Sequence, residues 1–127
     1  NRDDIELKDF GAEAGEVVLY PDVAKVVAEA VASGEFERGI LVCGTGIGMC
    51  ITANKIPGIR AAVCHDPFST ERSRKSNNAQ IMCMGERVIG PELAKYLVDI
   101  WLKCDFAGGG STPKVNRINE IDAEYKK

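Results

Sequence analysis

The chain has 127 residues, of which 45% are hydrophobic and 28% are charged, and its formal net charge is -3. This length fits one compact domain, and the composition excludes disordered, collagen-like and coiled-coil proteins. No apolar run approaches the ~20 residues needed to cross a bilayer, and no signal peptide is recognisable, so we expect a cytoplasmic protein without a membrane partner. The absence of a cluster of Lys and Arg argues against a nucleic-acid partner.

In the first half of the chain, short apolar runs alternate with longer amphipathic ones, which is typical of β-α-β units. The run at 39–43 is short and apolar throughout, which predicts a strand buried on both faces. The amphipathic run before it places Val23, Val26 and Val31 at helical spacing. The predicted elements are a strand at 5–10, a helix from Pro21 that ends at Ser33-Gly34, the strand at 39–43 and a helix at about 49–55.

The same alternation continues to the end of the chain. The run at 91–104 is amphipathic and places Leu93, Leu97, Ile100 and Trp101 on its buried face. The predicted elements are a strand at 59–64, a helix at 67–76, a strand at 80–84, the helix at 91–104, a flexible joint at 108–110 and a helical tail at 113–127. Together they predict an α/β fold in one domain spanning 1–127, a three-layer α/β/α sandwich with a mainly parallel, Rossmann-like sheet.

The five cysteines are odd in number and mostly lie in apolar runs, unlike the disulfide framework of a secreted protein. We expect reduced thiols, with all except the first packed in the core or under helices. The chain has no His-Glu-x-x-His motif and no Cys and His pair at zinc-ligand spacing, so we expect neither a metal nor a cofactor. The cysteines are Cys43, Cys50, Cys64, Cys83 and Cys104.

The glycine-rich segment after the strand at 39–43 is the first candidate site, because ligands bind beyond the carboxyl ends of parallel strands. Cys43 ends the strand and Gly44-Thr45-Gly46-Ile47-Gly48 leads into a helix. Backbone amides at such a turn can hold an anion, and they favour the thiolate form of a nearby cysteine. The alternative, that Cys43 is a small hydrophobic residue before a tight turn, remains open at this point.

A dinucleotide site is a second interpretation of this loop, since Asp66 follows the next strand and could bind a ribose. The glycine spacing argues against it, because the loop reads G-x-G-x-G rather than G-x-G-x-x-G. His65, the single histidine, is either a general acid or base or a polar cap at a strand end.

Six segments resemble the ribose-5-phosphate isomerase type B family, which also includes galactose-6-phosphate and allose-6-phosphate isomerase subunits. They occur in the family's order over almost the whole chain, and the Cys-Gly-Thr-Gly-x-Gly stretch together with Ala-Asn-Lys is highly specific. The segments are Tyr20-Pro21-Asp22, GILVCGTGIG at 39–48, Ala53-Asn54-Lys55, GIRA at 58–61, Asn77-Asn78-Ala79 and GERVIG at 85–90.

The resemblance implies a metal-independent isomerase of a phosphorylated aldose and ketose. It also implies a homodimer, or a dimer of dimers, with active sites at the subunit interface. Cys43 matches the family's catalytic thiol, which moves a proton between C2 and C1 through an enediolate, and Thr45 matches a residue that assists at the sugar oxygens. The amides of Gly44, Gly46, Ile47 and Gly48 match the anion hole for that enediolate.

The resemblance also assigns substrate-binding positions. Tyr20 and Asn77 match residues that contact the sugar, and Arg87 matches a phosphate-binding arginine. Members of the family that lack the cysteine carry Glu at the position of Met49, so the methionine here leaves Cys43 as the expected base.

Three departures from the family pattern stand out. The family's ring-opening histidine falls at Ser76, and its pair of C-terminal phosphate-binding arginines falls at Gly110 and Lys114, which leaves Lys114 as the expected cation. The family's first strand and helix, which carry an Asp-His pair, have no counterpart, so we expect the chain to be N-terminally incomplete relative to the family.

These departures bear on the substrate. The resemblance makes the interconversion of ribose 5-phosphate and ribulose 5-phosphate the expected reaction. The serine at the position of the ring-opening histidine favours, as the alternative, a tetrose 4-phosphate such as erythrose or erythrulose 4-phosphate, which cannot close a furanose ring. His65 is a candidate substrate-binding residue that could replace the lost histidine. A hexose 6-phosphate isomerase and a non-catalytic sugar-phosphate-binding protein are the further alternatives.

Overall fold

The computed structural model describes residues 19–126. Within them, three strands alternate with five helices, and one short 3-10 turn precedes the last helix. The predicted strand at 5–10 lies outside the described residues. The elements are α1 (Tyr20–Ala32), β1 (Gly39–Cys43), α2 (Ile47–Ala53), β2 (Ala61–Val63), α3 (Pro67–Lys75), β3 (Ile81–Gly85), α4 (Pro91–Lys103), a 3-10 turn (Gly109–Ser111) and α5 (Thr112–Tyr125).

The three strands form a parallel sheet in the order β1-β3-β2. Gly39 pairs with Ile81 and Cys43 pairs with Gly85, so β1 and β3 begin and end together. Ala61 pairs with Ile81 as well, which aligns the start of β2 with theirs. Each strand is followed by a helix, as parallel strands require, and the strand ends therefore lie along one edge of the sheet.

Two apolar clusters cover the two faces of the sheet, which confirms the layered α/β fold. On one face α1 and α2 pack over Leu41, Ile81 and Cys83. On the other face Leu97 and Trp101 of α4 pack against further residues of β3 and β2. β3 lies between the other two strands and is buried along its whole length.

Burial on β1 differs from the prediction of a strand hidden on both faces. Leu41 is buried, but Ile40 is 36% exposed and Val42 is 50% exposed. β1 is an edge strand of the described sheet, and α4 packs over β3 and β2 rather than over β1. Leu93, which was predicted to lie on the buried face of its helix, is likewise exposed, because apolar spacing alone does not set how wide a buried face is.

Several element boundaries also differ from the predictions. α2 begins two residues earlier, at Ile47, because Gly46 caps it with a left-handed backbone. β2 is shorter than predicted, since only Ala61–Val63 pair with β3. Gly109–Ser111 form a 3-10 turn rather than a flexible joint. No helix in the described part of the chain is both long and apolar enough to cross a membrane.

Candidate active site

The segment 43–48 lies at the carboxyl edge of the sheet, between β1 and α2. The backbone N–H of Gly46 donates to Sγ of Cys43 at 3.2 Å, and the N–H of Ile47 donates to Oγ1 of Thr45 at 3.2 Å. Cys43 is half-buried and Thr45 is exposed. The loop therefore holds the Cys43 sulfur beside a backbone donor at a surface that a ligand can reach.

Two glycines allow the loop to rest directly on the backbone of β3. Gly46 has φ +80°, and a Cβ added there would lie 2.9 Å from the carbonyl carbon of Met84. A Cβ added to Gly85 would lie 2.6 Å from Cα of Thr45. Real Cβ atoms do not approach backbone so closely, so only glycine fits at these two positions.

The chain after β3 completes the contact and brings Arg87 to the loop. The N–H of Glu86 donates to the carbonyl of Cys43 at 2.8 Å, and the N–H of Arg87 donates to the carbonyl of Gly44 at 3.1 Å. A Cβ on Gly44 would lie 3.7 Å from Cδ of Arg87, so the arginine side chain runs beside the loop. Arg87 and Cys43 therefore share one edge of the sheet.

Tyr20 and His65 lie at the same edge. Tyr20 begins α1 and packs on Gly48, where an added Cβ would lie 2.6 Å from Cε1 of its ring. His65 follows β2, and its Nε2 accepts a hydrogen bond from the N–H of Gly85 at 2.8 Å.

Asp66 caps α3, since its carboxylate accepts from the N–H of Ser69 at 2.8 Å. Its hydrogen bonds with Ser69 lower the pKa of this carboxyl below its usual value. The carboxylate that the dinucleotide interpretation would need for a ribose is therefore used to begin a helix.

Asn77, Ser76 and Lys114 lie at the opposite edge of the sheet. Asn77 precedes β3, whose first residue pairs with the first residue of β1, whereas Cys43 is the last residue of β1. At ~3.3 Å per residue, the length of β1 alone separates the two groups by about 13 Å. Within one chain, the structure does not bring these residues to the Cys43 loop.

The residues at this amino edge form a second group of their own. Oγ of Ser76 lies 3.4 Å from Oγ of Ser111, which places the start of α5, with Lys114 in its first turn, beside Ser76. The buried guanidinium of Arg74 donates to the carbonyl of Ala79 at 2.7 Å and so holds the turn that carries Asn77.

A cavity of about 470 Å³ adjoins this second group, between α5 and the start of β2. Its polar lining includes Asn54, Arg60, Asn77 and Asn119. Nη1 of Arg60 donates to Oδ1 of Asn119 at 2.7 Å, which fastens α5 to the body of the domain. The sequence did not point to this cavity, because the residues that form it are far apart along the chain.

Two motifs that carry the resemblance have structural roles. The side-chain amide of Asn54 accepts from the N–H of Ala61 at 2.9 Å and donates to its carbonyl at 3.0 Å, which joins the end of α2 to β2. Nothing in the sequence indicated a role for Gly85, yet its backbone packs directly against the backbone of the Cys43 loop.

All five cysteines are free thiols, as predicted. Cys64 and Cys83 are buried, whereas Cys50 and Cys104 are only half-buried. A hydrogen bond from Cys83 lowers the pKa of Cys50 to about 7, and the bond between them, followed by burial, raises the pKa of Cys83. No group of three or more His, Cys, Asp or Glu side chains in residues 19–126 is arranged to hold a metal ion.

Comparison with known proteins identifies the family. A model of the family described as Ribose/Galactose Isomerase matches residues 1–119. D-erythrulose-4-phosphate isomerase of Pectobacterium atrosepticum is 58% identical over 112 residues, which cover 88% of this chain and 74% of the relative. Ribose-5-P isomerase B of Listeria innocua is 59% identical over 122 residues, which cover 96% of this chain and 82% of the relative.

Solved structures agree with the sequence relatives. Ribose-5-phosphate isomerase B of Clostridium thermocellum superposes with a TM-score of 0.90 at 52% identity, over 94% of this chain and 81% of that one. The type B enzyme of Trypanosoma cruzi superposes with a TM-score of 0.87 at 44% identity, over 91% of this chain and 77% of that one. The chain therefore belongs to the ribose/galactose isomerase family, and it is an aldose–ketose isomerase.

Proposed function

We propose that this sugar-phosphate isomerase uses Cys43 as the base that moves a proton between C2 and C1 of the open-chain substrate. The thiolate takes the proton from the carbon next to the carbonyl, an enediolate forms, and the same sulfur returns the proton to the neighbouring carbon. The observation that carries this proposal is the 3.2 Å contact between the Gly46 N–H and Sγ of Cys43 in a loop seated on β3. A fixed donor beside the sulfur stabilises negative charge there.

The loop amides supply the second requirement of the reaction. A proton next to a carbonyl is only weakly acidic, so most of the rate enhancement must come from donors that stabilise the oxyanion. We assign that role to the backbone N–H groups at 44–48, with Thr45 assisting at the sugar oxygens. Met49 supports Cys43 as the base, because its side chain is buried in the core and carries no acid–base group.

The two edges of the sheet suggest how the rest of the site is assembled. Arg87 lies with Cys43, whereas Asn77 and Lys114 lie beyond the other end of the strands. We propose a homodimer in which one subunit supplies Cys43 and Arg87 and the other supplies Asn77 and Lys114 to the same sugar phosphate. In such a two-fold arrangement each interface would hold two equivalent sites.

A tetrose 4-phosphate is the substrate that this arrangement supports best. At the position of the family's ring-opening histidine, the hydroxyl of Ser76 contacts the hydroxyl of Ser111, and neither group exchanges protons readily near neutral pH. A tetrose 4-phosphate has no free hydroxyl with which to close a furanose ring and needs no such group. Two relatives at 58% and 48% identity are named as D-erythrulose-4-phosphate isomerases.

Ribose 5-phosphate is the second candidate. It is favoured by the placement of His65 at the same edge as Cys43, where Nδ1 of the imidazole, which the bond to Gly85 does not use, could assist ring opening. The Listeria innocua relative, at 59% identity, is named Ribose-5-P isomerase B.

An activity panel tests the substrate. We expect faster turnover of erythrose or erythrulose 4-phosphate than of ribose 5-phosphate or a hexose 6-phosphate. Faster turnover of ribose 5-phosphate would instead support the second candidate. If no sugar phosphate is turned over, and none exchanges its C2 proton in heavy water, the proposed proton transfer is refuted for these sugars.

Substitution of the thiol tests the mechanism. Cys43→Ala should lower kcat by about 10²–10⁴-fold, the usual contribution of a positioned acid–base group, without changing thermal stability. Cys104→Ala is the matched control, because this half-buried thiol lies at the end of α4, away from the loop. Retained turnover in Cys43→Ala would refute the proposed base.

A further inference from the structure

His65 occupies the point at which β2 leaves the sheet. The N–H of Cys64 still donates to the carbonyl of Cys83 at 2.9 Å, as in a continuous parallel ladder. The next bond of the ladder is supplied by a side chain, because Nε2 of His65 accepts from the N–H of Gly85 at 2.8 Å. Gly85 is buried, so a backbone N–H there needs a partner within the protein.

Gly85 in turn supports the loop that carries Cys43. Its Cα faces the backbone of the loop so closely that an added Cβ would lie 2.6 Å from Cα of Thr45 and 2.7 Å from the carbonyl oxygen of Gly44. The next residue, Glu86, donates its N–H to the carbonyl of Cys43 at 2.8 Å. A shift of the backbone at Gly85 would therefore move the loop amides relative to the sulfur.

The hydrogen bond also defines the tautomer of the His65 imidazole. An N–H donor requires a lone pair on Nε2, so the proton of the neutral ring is on Nδ1. In this state Nε2 is used by the backbone of β3 and is not available to exchange a proton with a sugar. Asp66, the residue next to it, is used in capping α3.

We infer that His65 is a positioning residue, which holds Gly85 and thereby keeps the amides at 44–48 in register with Cys43. This inference rests on the proposed role of the Cys43 loop, and it assigns His65 a task other than ring opening. The loop amides stabilise the oxyanion of the transition state. Loss of the hydrogen bond between His65 and Gly85 should therefore lower kcat more than it raises KM.

Three substitutions separate these roles. His65→Gln can place an amide oxygen near the position of Nε2 and keep an acceptor for Gly85, but it cannot act as an acid or base near neutral pH. His65→Asn is polar but too short to reach, and His65→Leu has no acceptor. We expect His65→Leu and His65→Asn to lower kcat roughly 10- to 100-fold on both a tetrose and a pentose phosphate, the scale of small misplacements in active sites. His65→Gln should recover most of that loss.

A structural readout accompanies the kinetics. Amide hydrogen exchange at Gly85 and at residues 44–48 should be faster in His65→Leu and His65→Asn than in the wild type, and close to wild type in His65→Gln. This readout does not depend on turnover, so it tests the positioning role even if the proposed base or substrate proves wrong. Thermal unfolding of each variant shows whether the domain remains folded.

Three outcomes would overturn the inference. Equal losses in all three variants, confined to the pentose phosphate, would make His65 the ring-opening group. Unchanged kcat and unchanged exchange in His65→Leu would show that the hydrogen bond does not matter to the loop. Equal losses on both substrates in His65→Gln and His65→Leu, with wild-type exchange rates, would assign His65 to direct contact with the sugar.

Discussion

Gly46 illustrates at the scale of one residue why the loop sequence is restrictive. Its φ of +80° lies in the left-handed region, which costs other residues about 1–2 kcal/mol. Its Cα also faces the backbone of Met84, which leaves no space for a Cβ. The first constraint is shared by other glycines of the chain, but the second is a consequence of the tertiary contact between the loop and β3.

Gly46→Ala should therefore reduce stability and activity more than a substitution at another glycine with a similar positive φ. Gly34→Ala is the matched control, because Gly34 has φ +86° and nothing within 4 Å of an added Cβ. We expect Gly34→Ala to lower the free energy of unfolding by about 1–2 kcal/mol with unchanged kcat. Gly46→Ala should lower it further and reduce kcat at least about tenfold. Urea unfolding and steady-state kinetics measure both, and equal effects in the two variants would contradict the steric argument.

At the scale of the element, α5 is fastened to the domain mainly by polar contacts. Its only buried residue is Val115, whereas Asn119 binds Arg60 and Asp122 accepts from the N–H of Gly58 at 2.7 Å. The hydrogen bond from Lys126, followed by that from Gly58, lowers the pKa of Asp122 below its usual value. The α5 helix also carries Lys114, so its attachment bears on phosphate binding in the proposed dimer.

Acid should weaken this attachment. Because the pKa of Asp122 is lower in the folded state, the carboxylate stabilises the fold above the ordinary pKa, and this stabilisation is lost as pH falls through the lowered value. The side chain is partly solvated, so the contribution is about 1 kcal/mol or less. Amide exchange in α5 should therefore accelerate as the pH is lowered below about 4, relative to the rest of the domain.

Asp122→Asn should reproduce the acid effect at neutral pH, with faster exchange in α5 and a higher KM for the sugar phosphate. Glu120→Gln is the control on the same helix, because Glu120 is exposed and, among residues 19–126, its ion pair is with Arg117 of α5 itself. If amide exchange in α5 is equally fast in both variants, the hydrogen bonds of Asp122 do not attach the helix to the domain.

At the scale of the whole molecule, the parallel register places the two groups of site residues at opposite edges of one sheet. A single domain cannot bring them together without breaking the sheet, because β1 and β3 pair along their whole length. In the proposed homodimer, a second copy of the chain would supply the residues of the other edge. The proposed interface site is thus a consequence of sheet topology rather than of a particular surface contact.

Mixing two inactive variants tests this arrangement. Cys43→Ala and Asn77→Ala each remove a site residue from a different edge of the sheet. A mixed dimer would therefore have one site with both residues intact and one site with both residues replaced. After unfolding and refolding together in equal amounts, half of the dimers should be mixed, and activity should recover to about a quarter of the wild type. Each variant refolded alone is the control. No recovery in a mixture shown to contain mixed dimers would mean that the two residues do not share a site.

Local sequence features were sufficient for the order of elements from α1 to α5 and for the layered fold. Each of these signals depends on only a few neighbouring residues, so each predicts its own element. They are the prolines in the first turns of helices, the glycines at the turns and the apolar runs of β1 and β3. The glycine spacing after Cys43 predicts a site at the end of β1, and this assignment stays a prediction. Boundaries were less accurate where pairing decided them, as in β2, where Ile59 and Arg60 precede the first paired residue.

The remaining features depend on contacts between segments distant in the chain. The exposure of Ile40 and Val42 follows from where α4 packs, and the partner of His65 is 20 residues away. Which site residues share an edge is set by register, since one shifted or reversed strand would regroup them. The family and the order of the elements could be predicted from the sequence alone, whereas the chemistry of the Cys43 loop stays a prediction. Which side chains meet is visible only in the fold, because these contacts depend on strand order and register, which local propensities do not encode.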